Sequence, residues 1–77
     1  MNDKVIVELS KDQALVLFEW LARTDDRNSL VFDHEAEQIV LWLLEGKLEK
    51  ALSVQFSPLY EEHLVNARER IVAEKVD

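Results

Sequence analysis

Leu52–Ser57 reads LSVQFS. Whether this hexapeptide is a strand or a connection between helices decides the fold. Val54 and Phe56 alternate with Ser53 and Gln55, the period-two pattern of a strand buried on one face. A lone strand would leave its backbone N–H and C=O groups unpaired. One other segment could pair with it: Lys4–Leu9, KVIVEL, which is short and rich in β-branched residues. Val5, Val7 and Leu9 share one face of that segment, and Lys4, Ile6 and Glu8 share the other. The preferred reading joins the two into a small sheet. The alternative is an all-α three-helix bundle with extended ends, because short apolar runs do not separate strand from helix.

Outward from these segments the pattern is helical. Ser10 and Gln13, three residues apart, form a capping box. Ala14, Leu17, Phe18 and Leu21 then recur at helical spacing, widened by Leu15 and Ala22. A loop follows around Thr24–Leu30. Asp33 is the expected N-cap of a second helix, with Glu35 and Glu37 in the first turn, where the helix dipole favours them. Ile39, Val40, Leu43, Leu44, Leu48 and Ala51 continue it. Gly46 lies inside this helix at a cost of roughly 1 kcal/mol relative to alanine. It allows either a close helix approach or a bend. Ser57-Pro58 is a standard helix start, serine as N-cap and proline at the first helical position. Tyr60, Leu64, Ala67 and Ile71 form the inner seam of a third helix, with Val65 and Val72 beside it. The expected order is β-α-α-β-α, an α+β domain of three helices and a two-stranded sheet spanning residues 1–77.

The chain has 77 residues, no cysteine, one glycine and one proline, and 48% of it is apolar. Without disulfides or thiolate metal ligands, a domain this small depends on a dense core or on self-association. The formal charge is −7. That balance disfavours direct contact with nucleic acid or an anionic membrane and permits a basic protein partner. The N-terminus lacks a basic region followed by a long apolar run, and the longest apolar run, IVLWLL at Ile39–Leu44, is too short to span a bilayer. A soluble, cytoplasmic protein is expected.

Thr24–Glu37, TDDRNSLVFDHEAE, carries much of the charge. Asp25, Asp26, Asp33, Glu35 and Glu37 stand against Arg27 alone. It is not a calcium loop of the EF-hand kind, since counting from Asp25 the sixth position is Leu30 and the twelfth is Ala36, where glycine and glutamate are needed. Two readings stay open and are compatible: solvated loop residues with a helix start, or a surface facing a partner. His34 and His63 lack the ligand spacing of a closed metal site. There is no cysteine nucleophile, no phosphate-binding glycine loop and no G-x-S-x-G. The expectation is a non-enzymatic chain with no metal and no cofactor.

Val16, Trp20, Leu41 and Trp42 lie off the main apolar stripes. Burial in the core is the preferred reading for the two tryptophans, and a dimer or partner face is the other. The segments VIVELSKDQALVLFEWLAR, DHEAEQIVLWLLEGKLEKAL and SPLYEEHL resemble the small acidic immunity proteins of bacterial contact-dependent inhibition and polymorphic-toxin systems. The resemblance implies a protein that binds one cognate toxin domain, often a basic nuclease. It carries no functional residue with it. The charge pattern nominates Asp25, Asp26, Asp33, Glu35 and Glu37, with Glu61 and Glu62, as the partner-binding set. A small homodimeric structural or adaptor protein, its N-terminal strand pairing across the dimer, is the alternative.

Overall fold

The structure, a computed structural model, describes residues 3–26 and 30–75, apart from the side chain of Asp26. Three helices make the fold: α1, Lys11–Asp26; α2, Glu35–Ala51; and α3, Tyr60–Lys75. A short 3₁₀ turn, Val54–Phe56, links α2 to α3. No strand occurs among the described residues. The α+β expectation is therefore corrected to an all-helical fold, and the sheet of Lys4–Leu9 with Leu52–Ser57 does not form.

The reason lies in how LSVQFS satisfies its backbone. The Phe56 N–H donates to the Ser53 carbonyl at 3.2 Å and the Ser57 N–H to the Val54 carbonyl at 2.9 Å. These bonds span three residues and close within the segment, so it needs no partner strand. The Leu52 N–H donates to the Leu48 carbonyl at 2.9 Å, and the Gln55 side-chain amide donates to the Glu49 carbonyl at 2.9 Å. Two carbonyls at the end of α2 gain partners that way. Three residues per turn also separate Val54 from Phe56. Val54 packs on the core, whereas Phe56 is exposed.

The helix starts follow the sequence at α1 and are displaced at α2, by one residue, and at α3, which begins at Tyr60 and not at Pro58. The Ser10 N–H donates to Gln13 Oε1 at 2.9 Å and the Gln13 N–H to Ser10 Oγ at 3.1 Å, the reciprocal pair of a capping box. At α2 the cap is His34, not Asp33. The Ala36 N–H donates to His34 Nδ1 at 3.0 Å, and the Asp33 N–H donates to the Glu37 carboxylate at 2.9 Å. Asp33 contributes its backbone to the helix start, and the imidazole takes the role expected of its carboxylate. At α3 the Ser57 hydroxyl accepts from the Leu59 N–H at 3.0 Å, and Ser57-Pro58 leads through a turn to Tyr60.

α1 lies between the other two helices; among the described residues the backbones of α2 and α3 do not approach closely. Arg70 meets Asp12 and Tyr60 meets Glu19, so α1 and α3 run antiparallel. Leu15 of α1 and Leu64 and Ala67 of α3 form a buried cluster, with Val16, Val54 and Tyr60 packed against it. Leu21 and Leu48 are also buried. Much of the remaining apolar surface is not. Ile39, Val40 and Leu43 of α2 are exposed, although their spacing suits a core-facing stripe. The Cα radius of gyration is 14.1 Å, against about 11 to 12 Å for a compact chain of this length. Gly46 has no atom within 4 Å of where a Cβ would stand, so no close helix approach explains it.

Candidate partner-binding surface

The sequence-nominated acids divide into three places. Asp33, Glu35 and Glu37 are exposed at the start of α2, and Glu37 reaches back to the Asp33 N–H. Asp25 is exposed near the end of α1 and meets the middle of α2: the Trp42 indole N–H donates to its Oδ1 at 3.1 Å. Glu61 and Glu62 are exposed in the first turn of α3, a helix that packs on α1 and the 3₁₀ turn and whose backbone, among the described residues, does not approach that of α2. The Asp26 side chain lies outside the described residues. Among the described residues, no hydrogen bond draws these acids into one cluster. The Asp25–Trp42 bond does tie the end of α1 to the charged face of α2.

Around that bond is a shallow groove lined by Asp25, Trp42, Glu45, Gly46 and Glu49. Trp42 is 51% exposed. The core reading of this residue is corrected, and with it that of Trp20, which is 42% exposed. α1 supplies one carboxylate to the groove and α2 supplies the rest. On α2, Trp42, Glu45, Gly46 and Glu49 stand at i, i+3, i+4 and i+7, one helical face. Glu35 belongs to the same face two turns earlier, about 10 Å along the axis. Because Gly46 has open space beside it, the indole ring and the carboxylates border a recess rather than a packed ridge.

Trp42, Glu45, Gly46 and Glu49 are absent from the set nominated by charge. Grouping acids by proximity along the chain favours Thr24–Glu37 and passes over a stripe in which one aromatic and two acids are spaced along a helix. The signal was present in the period of α2. Asp25 was in the nominated set, but its meeting with Trp42 depends on how α1 and α2 pack.

A second cleft, of about 280 Å³, lies between the start of α1, the end of α2 and α3. Lys11, Asp12, His63 and Arg70 give it polar walls. Arg70 is committed within it: Nε and Nη2 donate to the two Asp12 oxygens at 2.7 and 2.9 Å. That guanidinium holds the Asp12 carboxyl below its ordinary range, and the carboxylate raises Arg70 in return. The pair joins α1 to α3 and leaves the arginine fork little capacity for an anion. Nearby, the Tyr60 hydroxyl donates to Glu19 Oε1 at 3.1 Å, while Arg23 lies 3.4 Å from Oε2 of the same carboxylate. Burial, then the hydrogen bond to the negative Glu19, pushes the Tyr60 phenol up to about 12.

Among the described residues, no three His, Asp or Glu side chains come together as a metal would require. Nor, among them, is any helix long and apolar enough to cross a membrane. The surface chemistry on offer is an exposed indole bordered by carboxylates, suited to a cationic side chain. No family model, curated protein or solved structure matches the chain.

Proposed function

We propose that this chain is a non-enzymatic protein-binding module acting in the cytoplasm, an immunity-type protein that neutralises a basic, nuclease-type toxin domain. One observation carries the reading: the exposed Trp42 ring is held by Asp25 in a groove with Glu45 and Glu49, over the open space at Gly46. Interface hot spots are typically a large aromatic anchor within a complementary field. A lysine or arginine from the partner can stack on the indole while its charge meets the carboxylates. A nuclease lines its substrate face with such cations, and an acidic binder both covers them and associates faster through steering. The exposed acids Asp33, Glu35, Glu37, Glu61 and Glu62 contribute to that wider field.

The test is calorimetric titration with the nuclease-type domain of any toxin gene found to adjoin this one. A complex that weakens as salt is raised is expected. Trp42→Ala or Asp25→Lys should weaken it about 30-fold or more, the loss usual for a hot spot. Reversing Glu61 and Glu62 should mainly slow association. Absence of binding at low salt would sink the proposal. A complex indifferent to Trp42 would move the interface away from the groove.

A further inference from the structure

The N-terminal segment carries an inference independent of the groove. Asp3–Ser10 is exposed throughout, and no backbone hydrogen bond joins Asp3–Leu9 to any described residue. Val5, Ile6 and Val7 are 93%, 85% and 74% exposed. Three consecutive β-branched residues with free backbone donors and acceptors form an open template for strand pairing. Lysine is a common guard on such edges, but here a single lysine is matched by a single glutamate.

That match selects the partner. We propose that Lys4–Glu8 pairs with the same segment of a second copy, as antiparallel strands about a two-fold axis at Ile6. In this register Lys4 faces Glu8 of the other copy at both ends of the ribbon. Val5 faces Val7, and Ile6 faces itself. Opposite charges sit directly across from each other, and the branched side chains form like pairs, both favourable cross-strand combinations. Parallel pairing in register would instead set lysine against lysine and glutamate against glutamate. A shift by one residue would break the charge match and exchange the two faces. The two-fold pairing presents the same surface from both copies, the isologous arrangement of a dimer. A bare two-stranded ribbon is marginal in water. Its valine face therefore needs apolar cover, and Ile39, Val40 and Leu43 on α2 are exposed apolar surface on the same molecule.

The chain has no cysteine, which permits a direct test in the 77-residue chain. Residues directly opposite on antiparallel strands have Cα atoms about 4.5 to 5.5 Å apart, within disulfide reach. Ile6→Cys should therefore oxidise readily to a covalent dimer. Val5→Cys and Val7→Cys would place identical residues on a diagonal, roughly 7 to 8 Å apart, and should cross-link at least tenfold more slowly. Equal rates at the three positions would overturn the register. Sedimentation equilibrium supplies the second arm. Lys4→Glu should weaken the dimer about tenfold or more, and Lys4→Glu with Glu8→Lys should restore it. A monomer at high micromolar concentration, or a dimer unaffected by Lys4→Glu, would overturn the proposal. The substituted side chains lie outside the packed helices, so the helical circular dichroism signal should be unchanged in every variant.

Discussion

Tyr60 is the only tyrosine in the chain, so its ionisation reports on one contact between α1 and α3. Its ordinary value is 10.0, and in the folded chain it rises to about 12. The folded state therefore binds the phenolic proton more tightly than the unfolded state does. The resulting stabilisation is complete below pH 10.0 and disappears as pH climbs through about 12. Phenolate absorbance in the native protein should stay low through the ordinary midpoint and appear well above it. Glu19→Gln should bring the midpoint part of the way down, because burial, the largest cause, would remain. A native midpoint at the ordinary value would mean that the hydroxyl is not held against Glu19. At the same scale, His34 shows how one side chain displaces another: its ring nitrogen caps α2, one residue beyond the aspartate whose type suited the role.

Gly46 is where element and surface meet. It sits in the body of α2 with open space around it, so alanine there adds no clash and removes the entropic penalty of glycine. Gly46→Ala should stabilise the chain by about 1 kcal/mol. In a domain this size that corresponds to a rise of roughly 4 to 8 °C in thermal midpoint. The added methyl also enters the groove beside Trp42, so if the groove binds a partner as proposed, affinity should fall as stability rises. Differential scanning calorimetry paired with a binding titration would show both. A thermal midpoint that drops would place an unseen contact at this position.

Helices were legible because their signals are local: the Ser10–Gln13 box and the Leu64–Ala67 seam each operate within one element, whereas Ser57-Pro58 marks α3 only approximately, in a turn two residues before it begins at Tyr60. The two supposed strands were not, because alternation in LSVQFS is equally compatible with a tight turn whose hydrogen bonds close on themselves. KVIVEL has the residues of a strand without a strand to meet in its own chain. The groove was half legible. Its α2 stripe follows from helical period, but Asp25 joins it through packing that no local pattern encodes.

At the scale of the whole molecule, the middle position of α1 sets the cooperativity. The buried cluster draws on α1, the 3₁₀ turn and α3, and takes nothing from α2. Among the described residues the backbones of α2 and α3 do not approach closely, and Leu48 is the one buried side chain in α2. Detaching α2 would therefore leave the α1–α3 pair largely intact. Native-state hydrogen exchange should find α2 amides opening at a lower free energy than those of α1 and α3, as a separate unit. Uniform protection across all three helices would show instead that the molecule opens only as a whole. If α2 does open separately, a ligand gripping Trp42 would slow exchange along α2 far more than elsewhere. The helix that carries the groove would then be a movable arm hinged on α1, and its tightness would record whether a partner is bound.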